Sequence, residues 1–215
     1  MKKLVIASSN PGKLRELQAM LAPLGIEVLT QSQLGISEAE EPHNTFIENA
    51  LAKARHASAA SGLPALADDS GICVNALGGA PGVQSARYAD DDTAEPPLAD
   101  REQQRLQADN RNNRKLLRAL EGVADRRAHY YCVLVLMRHA DDPQPLIAEG
   151  EWHGEIGFTE RGGGGFGYDP LFCLPQINKT AAEMTRDEKA LVSHRAKALQ
   201  ALLLRMKSRE SGVVE

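Results

Sequence analysis

Apolar and polar positions follow two spacings along this chain: short continuous apolar runs, and longer stretches with apolar residues three and four apart. Continuous runs are typical of buried strands, and the wider spacing is typical of helices. Such runs predict strands at 4–7, 26–29, 63–67, 72–76 and 130–137, and 146–156 is predicted to be the hairpin partner of the last of these across 141–143. Helices are predicted at 13–21, 45–61, 98–120 and 185–206. Strands and helices that alternate in this way predict an α/β fold with a mixed sheet.

Local signals for helix ends and loops support these boundaries. Residues 45–48 and 185–188 each have the form of a capping box, in which a Thr and a Glu satisfy the first N–H groups of a helix. The polar, proline-bearing segment 90–97 is predicted to be a mobile loop. Because the sequence contains no internal repeat and no low-complexity linker, we expect a single domain over 1–208, followed by a frayed tail at 209–215.

Two adjacent carboxylates, Asp68 and Asp69, stand between two predicted strands, with a sharp turn expected at 70–71. Carboxylates at the mouth of a strand are poorly placed for a core and well placed for a divalent cation. The acidic runs at 90–92 and 141–142 are interpreted as solvated turns, since they lack apolar flanks on both sides. We therefore predict a metal site at the first pair.

A polar segment links the first predicted strand to the first predicted helix; it consists of Ser8, Ser9, Asn10, Pro11, Gly12 and Lys13. The N-terminus of a helix favours an anion, and Lys13 adds a positive charge there. The glycine spacing of a Walker A loop is absent. The segment alone is therefore as consistent with an ordinary turn as with a phosphate-binding loop.

Acidic and basic residues also accompany the predicted helix at 45–61. Glu40 and Glu41 precede this helix, and Lys53 lies on it. Taken singly, the glutamates could be stabilised by the helix dipole alone, and the lysine could be solvated. Together with Asp69, however, Glu41 would complete an oxygen-rich site for Mg²⁺, with Lys53 available to a phosphate.

The segment 162–170 is rich in glycine and contains Phe166 and Tyr168. It is interpreted either as a flexible surface loop or as a loop whose aromatic face stacks on a base. Aromatic residues make up only 4% of the chain, so two of them here favour the second alternative. Lys189, His194 and Arg195 lie on the last predicted helix, where a solvated amphipathic face is the default interpretation.

Composition excludes several classes of function. The hydrophobic fraction of 42% and the charged fraction of 25% are ordinary for a soluble globular protein. The net charge of −4 gives no global basic field for a nucleic-acid polymer, although a local basic cluster could hold a small anion. The three cysteines are widely spaced in apolar stretches, as expected for reduced thiols. No targeting segment or membrane span is recognisable, so we expect a cytoplasmic protein without membrane contact.

Several segments occur together in an order that is known from one protein family. They are 9–13 (SNPGK), 45–50 (TFIENA), 68–71 (DDSG), 77–82 (LGGAPG), 85–88 (SARY), 165–170 (GFGYDP), 188–189 (EK) and 193–195 (SHR). They span nearly the whole chain, and the full set in order is far more specific than any one of them. On this basis the chain resembles the inosine triphosphate pyrophosphatase family, in particular its bacterial members that act on non-canonical purine nucleoside triphosphates.

The resemblance implies a fold and an activity. The implied fold is an elongated mixed sheet flanked by helices, with two lobes, a nucleotide cleft between them and usually a homodimeric state. The implied reaction is the Mg²⁺-dependent hydrolysis of dITP, ITP and XTP to the monophosphate and pyrophosphate.

The resemblance also implies roles for individual residues. Asp69 would be the general base, and Glu41 and Asp69 would hold the metal. The residues implied to contact substrate are Ser8, Ser9, Asn10, Pro11, Gly12, Lys13, Lys53, Ser70, Phe166, Gly167, Tyr168, Asp169, Lys189, His194 and Arg195. Family members usually have a Gly two residues after the metal-site Glu, where this chain has Pro42, His43 and Asn44. This departure leaves open whether Glu40 or Glu41 is the ligand. Whether Asp68 shares the catalytic role is open as well.

Two rival functions are weighed against this one. A pyrophosphatase for modified pyrimidine or 7-methylated nucleotides would lack the Gly-Phe-Gly-Tyr-Asp and Ser-His-Arg segments. A nucleotide sensor without turnover would not need the intact pair Asp68 and Asp69 beside Lys13.

Overall fold

The chain folds into seven strands and five α-helices over the residues that the computed structural model describes, 2–90 and 100–211. The strands are Lys3–Ala7 (β1), Glu27–Thr30 (β2), Ala65–Val74 (β3), Arg127–Met137 (β4), Leu146–Ile156 (β5), Phe172–Leu174 (β6) and Lys179–Thr180 (β7). The helices are Pro11–Leu21 (α1), Phe46–Ser61 (α2), Arg101–Ala119 (α3), Arg186–Val192 (α4) and His194–Ser211 (α5). Within the described ranges, no helix combines the length and apolar character that a bilayer crossing requires.

All seven strands belong to one sheet in the order β2-β1-β3-β4-β5-β6-β7. Strand β1 pairs in parallel with β2 and with β3. Strand β6 pairs antiparallel with β5 and with β7. The sheet is therefore mixed and flanked by helices, which confirms the predicted α/β class.

Helix ends are fixed by local polar groups where the sequence predicts them. The side chain of Asn10 caps α1 by accepting the N–H groups of Gly12 at 2.9 Å and Lys13 at 3.2 Å. Thr45 caps α2 by accepting the N–H of Glu48 at 3.3 Å. The same helix ends at Gly62, whose φ of 68° is the left-handed conformation that glycine adopts without strain.

The predicted turn at 70–71 is wrong, because β3 runs without interruption from Ala65 to Val74. Asp68 and Asp69 therefore lie in the middle of a buried strand rather than at its mouth. A buried strand tolerates such a pair only where opposite charges compensate it. Cations on α1, α2 and α5 supply these charges. The sequence pattern around the pair could not show those partners, since they come from distant segments.

The predicted terminal helix is two helices, α4 and α5, separated at Ser193. The hydroxyl of Ser193 accepts the N–H of Ala196 at 3.2 Å and thereby caps α5. The start predicted for α3 at residue 98, and nearly all of the predicted loop at 90–97, lie outside the described residues. The domain and tail boundaries at 208 and 209 stay predictions.

The acidic pair at 141–142 is not an ordinary solvated turn. The side chain of Asp142 is fully buried. It accepts the backbone N–H groups of Arg138 and Gln144, each at 3.0 Å, and the Nε–H of Arg138 at 2.8 Å. The carboxylate thus organises the connection between β4 and β5.

The first of two compact units comprises Met1–Ser70, Tyr131–Glu151 and Ala190–Glu215. Successive residues of a strand point to opposite faces, and β1 shows this alternation clearly. Leu4 and Ile6 pack in a cluster with Leu17 of α1 and Leu199 of α5. Val5 and Ala7 pack in a second cluster with alanines of α2. Helices α1 and α5 therefore cover one face of β1, and α2 covers the other.

The second unit comprises Gly71–Tyr130 and Trp152–Lys189. Its described residues form an apolar cluster that includes Ile72 of β3, Leu116 of α3, Trp152 of β5 and Phe172 of β6. The rings of Trp152 and Phe172 lie 5.2 Å apart. Large aromatic residues thus form the core of this unit, whereas small and aliphatic residues form that of the first.

Candidate active site

The polar segment 8–13 lies in the first unit, between β1 and α1. Its backbone is held by its own side chains, since the Ser8 hydroxyl accepts the Asn10 N–H at 3.2 Å and Asn10 in turn caps α1. The ammonium of Lys13 lies 3.1 Å from Oδ1 of Asp68. An anion bound here would therefore meet the Lys13 charge next to a preformed helix start.

Lys53 of α2 lies between two carboxylates of the first unit. Its Nζ is 2.9 Å from Oδ1 of Asp69 and 3.1 Å from Oε1 of Glu41. Asn49, one turn earlier on α2, donates to Oδ2 of Asp69 at 3.4 Å and also holds the backbone of His43. Glu41 is thus the glutamate that faces the cluster, whereas Glu40 is exposed.

Arg195 of α5 is almost wholly buried, with 1% of its surface exposed. Its Nε and one terminal nitrogen lie 3.2 Å from Oδ2 of Asp68, and it also donates to the Ser70 hydroxyl at 3.1 Å. Its other terminal nitrogen forms an ion pair with Glu16 of α1. Asp68 is therefore compensated by Arg195 on one oxygen and by Lys13 on the other.

The two aspartates differ in their acidity. Burial would raise the pKa of Asp68, but Lys13 and Arg195 hold the pKa of that carboxyl well below its usual range. Burial raises the pKa of Asp69 above its ordinary value, although Lys53 and Lys13 act in the opposite direction. Asp69 is consequently the better proton acceptor of the pair.

The carboxylates of the first unit can be compared with the ligands that a divalent metal ion requires. In residues 2–90 and 100–211 no three His, Cys, Asp or Glu side chains are arranged to hold a metal ion. Glu41 and Asp69, however, converge on one positive charge, the Lys53 ammonium. Mg²⁺ is commonly held by one or two carboxylates, with water and substrate phosphates completing its coordination. The oxygen donors present therefore fit such an ion.

A second group of predicted residues meets in the second unit around Asp169. Its Oδ2 accepts the N–H of Phe166 at 2.9 Å and pairs with the ammonium of Lys189 at 2.6 Å. Its Oδ1 accepts the hydroxyl of Tyr130 at 3.3 Å. The Lys189 ammonium also lies 5.7 Å from the centre of the Phe166 ring. The glycine-rich segment is thus a fixed loop built on a buried carboxylate.

The predicted site residues are divided between the two compact units. Those in the first unit are Ser8, Ser9, Asn10, Pro11, Gly12, Lys13, Glu41, Lys53, Asp69, Ser70, His194 and Arg195. Those in the second unit are Phe166, Gly167, Tyr168, Asp169 and Lys189. Arg195, which the sequence analysis grouped with Lys189, makes its described contacts with Asp68, Glu16 and Ser70.

Several contacting residues were not selected from the sequence. Glu16 lies three residues after Lys13 on α1, and Asn49 lies four before Lys53 on α2, so helical spacing alone could have suggested both. Tyr130 and Asp109 contact the loop from distant segments. No local signal marks these two residues.

Comparison with known proteins identifies the family. Residues 4–204 match the Ham1 family, and the chain therefore belongs to it. The family is one of nucleotide pyrophosphatases that typically depend on a metal. The resemblance stated from the sequence is thereby confirmed.

Individual relatives match over nearly their full lengths. The chain is 61% identical to the dITP/XTP pyrophosphatase of Ralstonia nicotianae, with 96% of this chain and 98% of the relative covered. It is 60% identical to the dITP/XTP pyrophosphatase of Nitrosomonas europaea, with 98% and 97% covered. A HAM1 protein from Coxiella burnetii has a similar structure, with a TM-score of 0.83, 43% identity and coverage of 97% and 100%.

Proposed function

We propose that the chain hydrolyses dITP, ITP and XTP to the nucleoside monophosphate and pyrophosphate. The observation that carries the proposal is a group of partly buried ion pairs on and beside β3, in which Lys13 pairs with Asp68, and Lys53 pairs with both Asp69 and Glu41. A triphosphate carries about four negative charges, so it needs positive groups of this kind. Relatives at about 60% identity are named dITP/XTP pyrophosphatases, which supports dITP and XTP as substrates.

The proposed cofactor is Mg²⁺, held by Glu41 and Asp69. When bound, it would offset the negative charge that develops as pyrophosphate leaves. Lys53 would then be freed from the two carboxylates to contact a phosphate. Ser8 to Lys13 and Ser70 supply hydroxyl, backbone and ammonium groups to the phosphates.

Asp69 is the proposed general base. It orients or deprotonates the water that attacks the α-phosphorus in line, and pyrophosphate departs as the leaving group. Asp68 is a weaker base, because Lys13 and Arg195 hold its pKa low. Its proposed contribution is to keep those two cations in place.

The proposed base and sugar contacts come from Phe166, Gly167, Tyr168, Asp169 and Lys189. The Phe166 ring offers a face for stacking. His194 and Arg195, which belong to the first unit, are proposed as base contacts because the family pattern implies them. Replacing Arg195 with Ala should lower ITP turnover far more than residual ATP turnover. The guanidinium can donate a hydrogen bond to the 6-oxygen of hypoxanthine, whereas the 6-amino group of adenine is itself a donor.

If ITP turnover and ATP turnover instead fall in parallel, Arg195 binds a phosphate or has a structural role through its ion pairs with Asp68 and Glu16.

The family resemblance further supports a homodimer in the cytoplasm, acting on free nucleotides rather than on a nucleic-acid polymer. Sedimentation equilibrium of the purified protein should give twice the mass of the chain. A monomer across the micromolar range would contradict the dimer.

The test of the function is a panel of nucleoside triphosphates with both products quantified. We expect ITP, dITP and XTP to yield equal amounts of monophosphate and pyrophosphate, with ATP and GTP turned over far more slowly. Tight binding of ITP without product would instead establish the nucleotide sensor. Preference for a modified pyrimidine nucleotide would establish the other pyrophosphatase class.

A further inference from the structure

Helix α3 presents an unusual inner face. Asp109, Asn112 and Asn113 share that face, since residues three and four apart on a helix are neighbours. Asn112 and Asn113 are 3% and 2% exposed. A surface helix normally turns apolar residues inward, and buried amides are kept only where they find hydrogen-bond partners. The partners of this face are two loops of the second unit.

Asp109 and Asn113 hold both backbone polar groups of a single residue, Gly167. Oδ2 of Asp109 accepts the Gly167 N–H at 2.8 Å. Nδ2 of Asn113 donates to the Gly167 carbonyl at 3.2 Å. A hydrogen bond to a carboxylate is stronger than one between neutral groups. The two side chains therefore fix the plane and direction of the backbone between Phe166 and Tyr168.

Asn112 gives the same loop a second, indirect attachment. Its amide accepts the N–H of Ala89 at 2.8 Å and donates to the carbonyl of Ser85 at 3.3 Å. The hydroxyl of Tyr168 donates to the same Ser85 carbonyl at 2.8 Å. The segment that Asn112 holds is thus also the segment to which Tyr168 is anchored.

We infer that Asp109 and Asn113 are positioning residues for purine recognition, which act through Gly167 to hold Phe166 and Asp169 in place. The inference rests on the proposed function, in which loop residues 166–169 contact the base. A glycine-rich loop loses much conformational freedom when it is ordered. Because the loop is already held on α3, the nucleotide binds without the loss of conformational entropy that ordering the loop would otherwise require.

The test compares Asp109→Leu, which has nearly the same size but no acceptor, with Asp109→Asn, which keeps an acceptor oxygen. We expect Asp109→Leu to raise KM for ITP about tenfold, the effect of one lost hydrogen bond to a charged group. Its kcat should stay within about twofold, and Asp109→Asn should restore most of the affinity. Asn113→Leu removes the other attachment and should also raise KM. Asn110→Ala, an exposed change on the same helix, is the matched control and should leave KM unchanged.

Inorganic pyrophosphate, which has no base, serves as a second probe. Its inhibition constant should be the same in wild type and in Asp109→Leu, because the phosphate-binding residues lie in the first unit. Equal weakening of pyrophosphate and ITP would mean a general structural defect and would overturn the inference.

Phe166→Ala separates this inference from the proposed function. If Phe166→Ala raises KM for ITP and neither Asp109→Leu nor Asn113→Leu does, the positioning role alone is wrong. If Phe166→Ala leaves KM unchanged, the loop does not bind the base, and the assignment of that site fails together with the inference that rests on it.

Discussion

Asp68 and Asp69 show how neighbours decide the chemistry of a single residue. Both are buried on β3. Asp68 pairs with Lys13 through one oxygen and with Arg195 through the other, and these cations hold its pKa well below its usual range although burial opposes this. Asp69 shares Lys53 with Glu41, and burial raises its pKa. Adjacent residues of one type are therefore suited to different tasks.

The first prediction at this scale concerns Asp69→Asn, which keeps the size of the side chain but removes its charge. We expect kcat to fall about 10²-fold or more, the usual contribution of a general base together with charge stabilisation. Circular dichroism should show an unchanged fold. Asp141→Asn, at an exposed aspartate, provides the control and should retain wild-type kcat. Near-normal turnover of Asp69→Asn at saturating metal would move the catalytic role to Asp68.

The second residue-scale prediction concerns stability and pH. Hydrogen bonds from Arg138 hold the pKa of Asp142 below its ordinary value, although burial opposes this. Its contribution to the free energy of unfolding is therefore complete above the unfolded pKa of about 4 and is lost as pH falls through the lower folded value.

Urea unfolding should show Asp142→Asn less stable than wild type by about 1–3 kcal/mol at pH 7. This difference in the free energy of unfolding between wild type and Asp142→Asn should narrow as pH is lowered below about 4. A difference that stays constant down to the acid unfolding transition would show that the carboxylate charge is unimportant.

At the scale of elements, the sequence predicted what local spacing and capping determine. The bounds of α2 follow from Thr45 and Gly62, and those of β5 agree with the strand predicted at 146–156. The error at β3 has a different origin. Two carboxylates interrupt the apolar pattern, and the cations that keep them in the strand come from α1, α2 and α5. The short strands β6 and β7, of three and two residues, are below the length at which alternation can be recognised.

The packing of α5 on β5 gives a prediction at this scale. A Cβ added at Gly150 of β5 would overlap the carbonyl oxygen of His194 and lie 2.5 Å from the backbone N of Ala198. Neither backbone atom can move without displacing α5. Gly150→Ala should therefore lower the free energy of unfolding by about 1–3 kcal/mol.

Gly163→Ala is the matched control, because a Cβ there would meet no atom within 4 Å. Chemical denaturation of both variants should show a loss of stability only in Gly150→Ala. Equal stabilities would mean that α5 packs less closely on β5 than described.

At the scale of the whole molecule, each compact unit is assembled from segments that are distant in the sequence. Local patterns cannot show this, and for that reason the full set of site residues was predicted only through the family resemblance. The resemblance placed Lys13, Lys53 and Asp69 in one site, and these residues do lie in one cluster. It gave no indication of Asp109 on α3.

A prediction for the whole enzyme is that its activity requires a divalent cation. Two carboxylates cannot by themselves hold a polyanion, so chelation should abolish turnover. Assays of ITP hydrolysis with excess EDTA, followed by added Mg²⁺ or Ca²⁺, measure this directly. We expect full recovery with Mg²⁺. Undiminished turnover in excess EDTA would refute the metal assignment.

The central claim is that water, oriented by Asp69, attacks the α-phosphorus of a non-canonical purine triphosphate. Hydrolysis of ITP in H₂¹⁸O, with both products analysed by mass spectrometry, tests it most directly. Attack at the α-phosphorus puts one ¹⁸O in the monophosphate and none in the pyrophosphate. Label in the pyrophosphate would place the attack at the β-phosphorus. Release of ¹⁸O-labelled orthophosphate with an unlabelled nucleoside diphosphate would place it at the γ-phosphorus. Either result would contradict the proposed geometry.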